Sequence, residues 1–323
     1  MSAKEKFSEP SGDTDGKALC TARANTRCDS ALEVGFGKGI RDMRILLAID
    51  GSKYSETAVQ AVIEQIRLRD TEVQILHVVE RPSLLVGREM GGYDRALDVV
   101  WEAETKQAWA LVQNAADRLR SKGVKVITTV AQGDPKAEII DACSKWGAEL
   151  IVVGSHGHKG LERFLIGSVS DAVARHAGCS VEIVRIPLRL SRILLAIDDS
   201  KFSWAAVEAV TAQLQPQGKE IKVLNVVDPF MPVLLQGSVK DGWELVQRAE
   251  EKLRDAGYQT QTGVEEGDAK STILDQAKRW DSGLIVMGSH GRKGIDRFLM
   301  GSVAQGVAHH APCSVEIVRL AKR

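Results

Sequence analysis

The sequence predicts an α/β protein made of two tandem, doubly wound domains, each a five-stranded parallel sheet with helices on both faces. Three observations carry this reading. At 323 residues the chain suits two domains of roughly 100–200 residues each. It also repeats itself: RILLAID at 44–50 returns at 192–198, and GSHGHKGLERFLIGS at 154–168 returns as GSHGRKGIDRFLMGS at 288–302. Within each copy, continuous apolar runs alternate with segments of helical spacing, the rhythm of a parallel sheet joined by crossover helices.

Taken in order, residues 1–42 are a polar leader with seven basic and seven acidic residues and no apolar period, expected to be disordered. Ile45–Ile49 reads as the first buried strand. Ala58, Val59, Ala61, Val62 and Ile66 then recur at helical spacing, with Ser55 placed to cap. Ile75–Val79 is the second strand. Leu111, Ala115, Ala116 and Leu119 form a second helix that Lys122-Gly123 stops. Val124–Val130 alternates more and suggests a strand nearer an edge; Leu150–Val153 and Val181–Val184 complete the five. The offset between copies falls from 148 at RILLAID to 134 at the glycine motif and at CSVEIVR (179–185 and 313–319). Copy one therefore carries 14 extra residues between positions 80 and 108, which mix a glycine-bearing loop with a helical stretch. They would cover a pocket or extend an interface. The first domain is assigned to 43–190 and the second to 191–323, with only Pro187-Leu-Arg-Leu as a joint. So short a connection implies docked domains. The six tryptophans are read as core or helix-packing residues.

Composition excludes several classes. Lys+Arg and Asp+Glu each number 43, so no basic excess announces a nucleic-acid partner. No apolar run approaches the ~18–20 residues of a membrane span. MSAKEKFSEPSG has no apolar signal core, so a cytoplasmic location is expected. Five cysteines without a CxxC pair point to free, reduced, packed thiols instead of a disulfide framework or zinc site.

Chemistry concentrates where a glycine motif follows a buried strand. Both copies carry G-x2-G-x9-G-S: Gly154, Gly157, Gly167 and Ser168, then Gly288, Gly291, Gly301 and Ser302. The first two glycines of each set allow a sharp bend and close approach to a ligand. The Gly-Ser pair opens a helix, whose N-terminal N–H groups and dipole suit phosphate oxygens. Lys159 and Arg163 in copy one, and Arg292, Lys293 and Arg297 in copy two, add positive charge nearby. A plain strand-to-helix turn with Ser168 as its cap is the alternative. The motif is neither the dinucleotide G-x-G-x-x-G nor a Walker loop. Asp50 and Asp198 end the first strand of each copy. If that strand lies beside the fourth at the point where strand order reverses, the aspartate faces Gly154 across a ligand crevice. Its alternative role is to cap the following turn. His156 and His290 are read as loop-shaping; no catalytic residue or metal ligand is assigned.

With A-I-D ending strand one, L-H-V-V or L-N-V-V on strand two, G-S-H-G after strand four and G-S-V opening the last helix, the chain resembles a tandem universal stress protein of the ATP-binding branch. The likeness covers about 280 of the 323 residues. It implies an adenine-nucleotide α-hydrolase-like sheet of order 3-2-1-4-5, ATP (with Mg²⁺) in the crevice, and a pseudo-dimer made within the chain through the last strands. Further homodimerisation is left open. Carried over by position, Asp50 and Val78 would meet the adenosine part, and Gly154, Gly157, Gly167 and Ser168 the ribose and phosphates. Asp198, Val226, Gly288, Gly291, Gly301 and Ser302 would do the same in copy two. The resemblance implies a nucleotide-responsive stress-tolerance protein, with a slow ATPase or phosphotransferase, or a scaffold with vestigial pockets, as alternatives. Two features depart or differ. Glu182 and Glu316 put charge into the strands that would pair, where charge commonly blocks strand addition, unless Arg185 or Arg319 engages them. Asp199 beside Asp198 adds a carboxylate that copy one lacks, which predicts the tighter site in copy one.

Overall fold

The computed structural model describes residues 43–65, 71–80, 93–157, 166–230, 238–292 and 300–320. The leader, Ile66, residues 81–92 of the insertion-bearing segment, and Lys159, Arg163, Lys293 and Arg297 lie outside the described residues.

In copy one the order is β1 (Met43–Ala48), α1 (Lys53–Gln65), β2 (Thr71–Val79), α2 (Tyr93–Arg120), β3 (Lys125–Gln132), α3 (Pro135–Trp146), β4 (Leu150–Gly154), α4 (Ser168–His176) and β5 (Ser180–Val184). Copy two repeats it as β6 (Arg192–Ala196), α5 (Lys201–Gln213), β7 (Glu220–Val227), α6 (Val239–Asp255), β8 (Gln259–Glu266), α7 (Ala269–Arg279), β9 (Leu284–Gly288), α8 (Ser302–His310) and β10 (Ser314–Val318). The strands form one ten-stranded sheet, β3-β2-β1-β4-β5-β10-β9-β6-β7-β8. Each half has the order 3-2-1-4-5 and is parallel throughout, and β3 is an edge as its weaker apolar pattern suggested.

Local chemistry sets the helix ends. Asp134 caps α3, its carboxylate accepting the Lys136 N–H, with Pro135 behind it and Gly147 at φ 73° closing the far end. At α1 the cap is Ser52, not Ser55: the Ser55 N–H donates to Ser52 Oγ at 3.2 Å. Ser55 lies one turn inside and instead accepts the Gly51 N–H at 3.0 Å. Most of the insertion proves helical. α2 has 28 residues against 17 in its counterpart α6, and the excess is at its N-terminal end. The 11 additional residues lengthen it by about 16 Å at 1.5 Å per residue.

On one sheet face the apolar core runs without a break through both copies, from Leu46 and Ile151 through Val181, Ile183, Val315 and Ile317 to Leu194 and Ile285. The other face has two separate cores, one under α1 and α2 and one under α5 and α6. The halves meet through antiparallel β5 and β10, with Val181 opposite Ile317, Ile183 opposite Val315, and Glu182 directly opposite Glu316. The glutamates therefore do not keep the edges apart, nor do the arginines pair with them. Both are buried, 3% and 1% exposed. Arg185 reaches into copy two, donating to Ala308 O (2.6 Å) and Cys313 O (3.4 Å). Arg319 mirrors it on Ala174 O and Cys179 O. Each guanidinium sits at the C-terminal end of the opposite copy's last helix, where a cation suits the dipole and the free carbonyls. The shared apolar core and these two clamps outweigh the paired carboxyls. His309 adds a contact across the joint, its Nε2 lying 2.8 Å from Asp171 Oδ1. Burial works to raise the Asp171 carboxyl, but hydrogen bonds with Arg175 and His309 together hold it below its usual value. Trp109 and Trp243 depart from expectation at 42% and 41% exposed, because the outer faces of α2 and α6 have nothing packed on them among the described residues.

Candidate functional site

In each copy the first and fourth strands are parallel neighbours, with Ala48 opposite Val153 and Ala196 opposite Met287. The chain leaves β1 in one direction for β2 and β3, and returns on its other side for β4. This is the switch point at which a crevice opens beyond the strand ends. Asp50 and Asp198 emerge there beside the glycine loops.

The glycines divide the work differently from the sequence expectation. A Cβ on Gly157 would lie 2.6 Å from Asp50 Oδ2, and one on Gly291 would lie 2.6 Å from Asp198 Oδ2. It is thus the second glycine of each loop that meets the aspartate. A Cβ on Gly154 would instead run into the start of α1, 2.8 Å from the Tyr54 carbonyl carbon. Gly288 stands in the same relation to Phe202 at 2.7 Å. These first glycines let a helix press against a strand end. Gly167 and Gly301 close the loop: each N–H donates back to a serine carbonyl, Ser155 at 2.7 Å and Ser289 at 2.8 Å. Each then acts as the N-cap of α4 or α8 with no side-chain capping bond, so no side chain among the described residues caps the helix N-terminus, an end whose N–H groups suit an external acceptor. Ser168 and Ser302 are the first helical residues, not the caps.

The aspartates also serve their turns. Asp50 Oδ1 accepts the Ser52 N–H at 3.0 Å, and Asp198 Oδ1 accepts the Ser200 N–H at 3.1 Å. Val78 and Val226 lie near the ends of the adjacent strands, partly buried against the common core. The His156 and His290 rings lie tilted against Tyr54 and Phe202, ring centres 5.0 Å apart in both copies, and contact Ser155 Oγ and Ser289 Oγ, which fits a loop-shaping role.

Two repeated supports escaped the sequence reading. Ser52 Oγ and Ser200 Oγ each donate to the carbonyl of the loop histidine at 3.3 Å, tying the turn after strand one to the glycine loop. His77 Nδ1 lies 2.8 Å from Ile49 O, and Asn225 Nδ2 donates to Ile197 O at the same distance, each steadying the residue before the aspartate. The signal for the second was the single difference between L-H-V-V and L-N-V-V: two residue types that share a ring or amide N–H donor.

The copies differ at one corner. Asp199 takes a left-handed conformation, φ 63°, where copy one has Gly51 at φ 82°. Its carboxylate accepts the Trp204 indole N–H at 2.9 Å and lies 3.8 Å from Arg248 and 3.9 Å from Arg292. Arg292 also donates its backbone N–H to Asp198 Oδ2 at 3.0 Å and its side chain to Asp198 O. The loop cation of copy two is thus drawn onto the two aspartates.

Among the described residues no helix is long and apolar enough to cross a membrane. Comparison with known proteins gives consistent matches. A Bacillus subtilis universal stress protein is 34% identical over 146 residues, covering 44% of this chain and 98% of its own length. A Mycolicibacterium smegmatis universal stress protein is 29% identical over 300 residues, covering 85% of this chain and 96% of its own. Among solved structures, a universal stress protein from Archaeoglobus fulgidus has the same fold, with a TM-score of 0.62, 21% identity, and coverage of 88% of this chain and 98% of that one. The sequence model of the universal stress protein family matches twice, at residues 43–185 and 190–319. The chain belongs to the universal stress protein family, as a tandem pair of its domains.

Proposed function

We propose that each copy binds an adenine nucleotide, ATP with Mg²⁺, and that the protein acts as a nucleotide-responsive regulator in stress tolerance, in the cytoplasm. The observation that carries this reading is a convergence made twice: a strand-one carboxylate, a glycine loop pressed against it, and a helix N-terminus whose cap has no side chain, all at the switch point. Asp50 and Val78, or Asp198 and Val226, stand where a ribose or adenine would hydrogen-bond and pack. Gly157, Gly167 and Ser168, with Gly291, Gly301 and Ser302, would line the side suited to phosphates, while Gly154 and Gly288 seat the neighbouring helix against the strand end. The chain would work as an internal pseudo-dimer of domains 43–190 and 191–323. Pure protein, denatured and analysed for released nucleotide, should yield adenine nucleotide, and calorimetry with ATP and Mg²⁺ should register heat. Neither signal in full-length folded protein would end this reading.

A second reading, in which copy two is a scaffold with a disused pocket, draws on Arg292 and its hold on Asp198 and Asp199. One equivalent of bound nucleotide per chain, lost in Gly157→Val, would favour it.

A further inference from the structure

Copy one holds two thiols in contact. Cys143, in the last turn of α3, and Cys179, immediately before β5, have their sulfurs 3.0 Å apart, and both are buried. Copy two cannot repeat the arrangement: Cys313 matches Cys179, but the position of Cys143 is Ala277. We propose that Cys143 and Cys179 are a modification site, closing to a reversible disulfide under hydroperoxide, a clasp that copy one alone possesses.

The two positions are 36 residues apart. The ring they would close contains β4, the glycine loop and α4, and so Gly154, Gly157, Gly167 and Ser168. The clasp would fasten the end of α3 to the start of β5, at the two ends of the segment that builds the first crevice. Their surroundings are apolar: Ile139, Ala148, Ala174 and Ala177 belong to the same core. A small peroxide fits such a place better than a bulky disulfide reagent. In the first step one thiolate attacks the peroxide O–O bond, forming a sulfenic acid and releasing hydroxide, which takes up the proton of the thiol. In the second, the neighbouring thiol displaces the sulfenic oxygen as water, so that two thiols and one hydrogen peroxide give one disulfide and two waters. The hydrogen bond to Cys143 and then burial push the Cys179 thiol up, which keeps the thiolate scarce. The pair therefore closes slowly under sustained peroxide and does not cycle as a catalyst. At the same time the Arg319 guanidinium, bonded to Cys179 O, offers a positive charge to the thiolate that reacts.

The test uses the full chain carrying Cys20→Ser and Cys28→Ser, which remove the leader thiols. The folded protein is exposed to hydrogen peroxide, denatured, alkylated and mapped by mass spectrometry. The expected result is a peptide linking Cys143 to Cys179, abolished by a thiol reductant, with a melting temperature higher before reduction than after. In Cys143→Ala, which places there the residue copy two already uses, the linked peptide and the temperature difference both vanish. Recovery of both residues alkylated after peroxide treatment would overturn the proposal, as would a link between Cys179 and Cys313 or an unchanged temperature difference in Cys143→Ala.

Discussion

Among the described residues the two copies share the strand pairing, the glycine contacts and the helix start of the crevice, and part at the residue after the strand-one aspartate, Gly51 in one and Asp199 in the other. Both occupy the left-handed region, where glycine is at ease and aspartate is tolerated. The sequence suggested that the added carboxylate would simply repel phosphate. The structure changes the physical reason: Asp199 is held by Trp204, Arg248 and Arg292, so its charge is largely met, and Arg292 is shared between Asp198 and Asp199. On the proposed reading, competition for one cation, more than bare repulsion, would set the second site below the first.

The largest effect expected is at the glycine loops. Gly157→Val puts a side chain where a Cβ would already stand 2.6 Å from Asp50 Oδ2. ATP should bind the first site at least about 100-fold more weakly, roughly 2.8 kcal/mol, with the second site unaffected. Gly291→Val should do the reverse, and calorimetry on the two variants separates the sites.

Next comes the shared seam, where each copy presents the same strand and the same arginine to the other. Burial, and after it the facing Glu182, pushes the Glu316 carboxyl up to about 8. The folded chain keeps a proton that the unfolded chain releases at its ordinary, lower pKa. Stability is therefore full below that lower value and falls as the pH rises toward about 8. Glu316→Gln should remove most of this fall, on the order of a few kcal/mol, and Glu182→Gln should weaken it from the other side. Denaturant midpoints followed across pH check both.

Asp199→Gly makes the second corner like the first. It removes one of the two aspartates that engage Arg292, and the second site should gain several-fold in ATP affinity, about 1 kcal/mol. Unchanged affinity would mean that Asp199 plays no part in the difference. The smallest effect concerns a bond found only in copy one: Ser170 Oγ donates to Gly154 O at 2.6 Å, whereas the matching residue is Ala304. Ser170→Ala should cost about 1 kcal/mol or less in chemical denaturation and leave site two as it was.

Much of this was legible in the sequence because duplication and burial leave strong signals. The five strands of copy one are continuous or alternating apolar runs, and the aspartate and the glycines recur at fixed offsets. What escaped depends on contacts that one-dimensional spacing does not carry. Ser52 and Ser55 are both plausible caps three residues apart, and only the backbone bond from Ser55 to Ser52 decides between them. Gly154 and Gly157 look alike in a motif, yet one faces a helix and the other a carboxylate. Glu182 and Glu316 read as edge charges, because nothing in a single strand announces that Arg185 and Arg319 will bridge to helix ends in the opposite copy.

The central claim is that one crevice has been built twice and that both bind ATP. Its most direct test is the stoichiometry of ATP binding to the nucleotide-free full chain, alongside the Gly157→Val/Gly291→Val double variant. Two equivalents per chain, the first tighter than the second, with none in the double variant, is the predicted result. No binding to the folded wild-type chain, or binding that survives in the double variant, would contradict it.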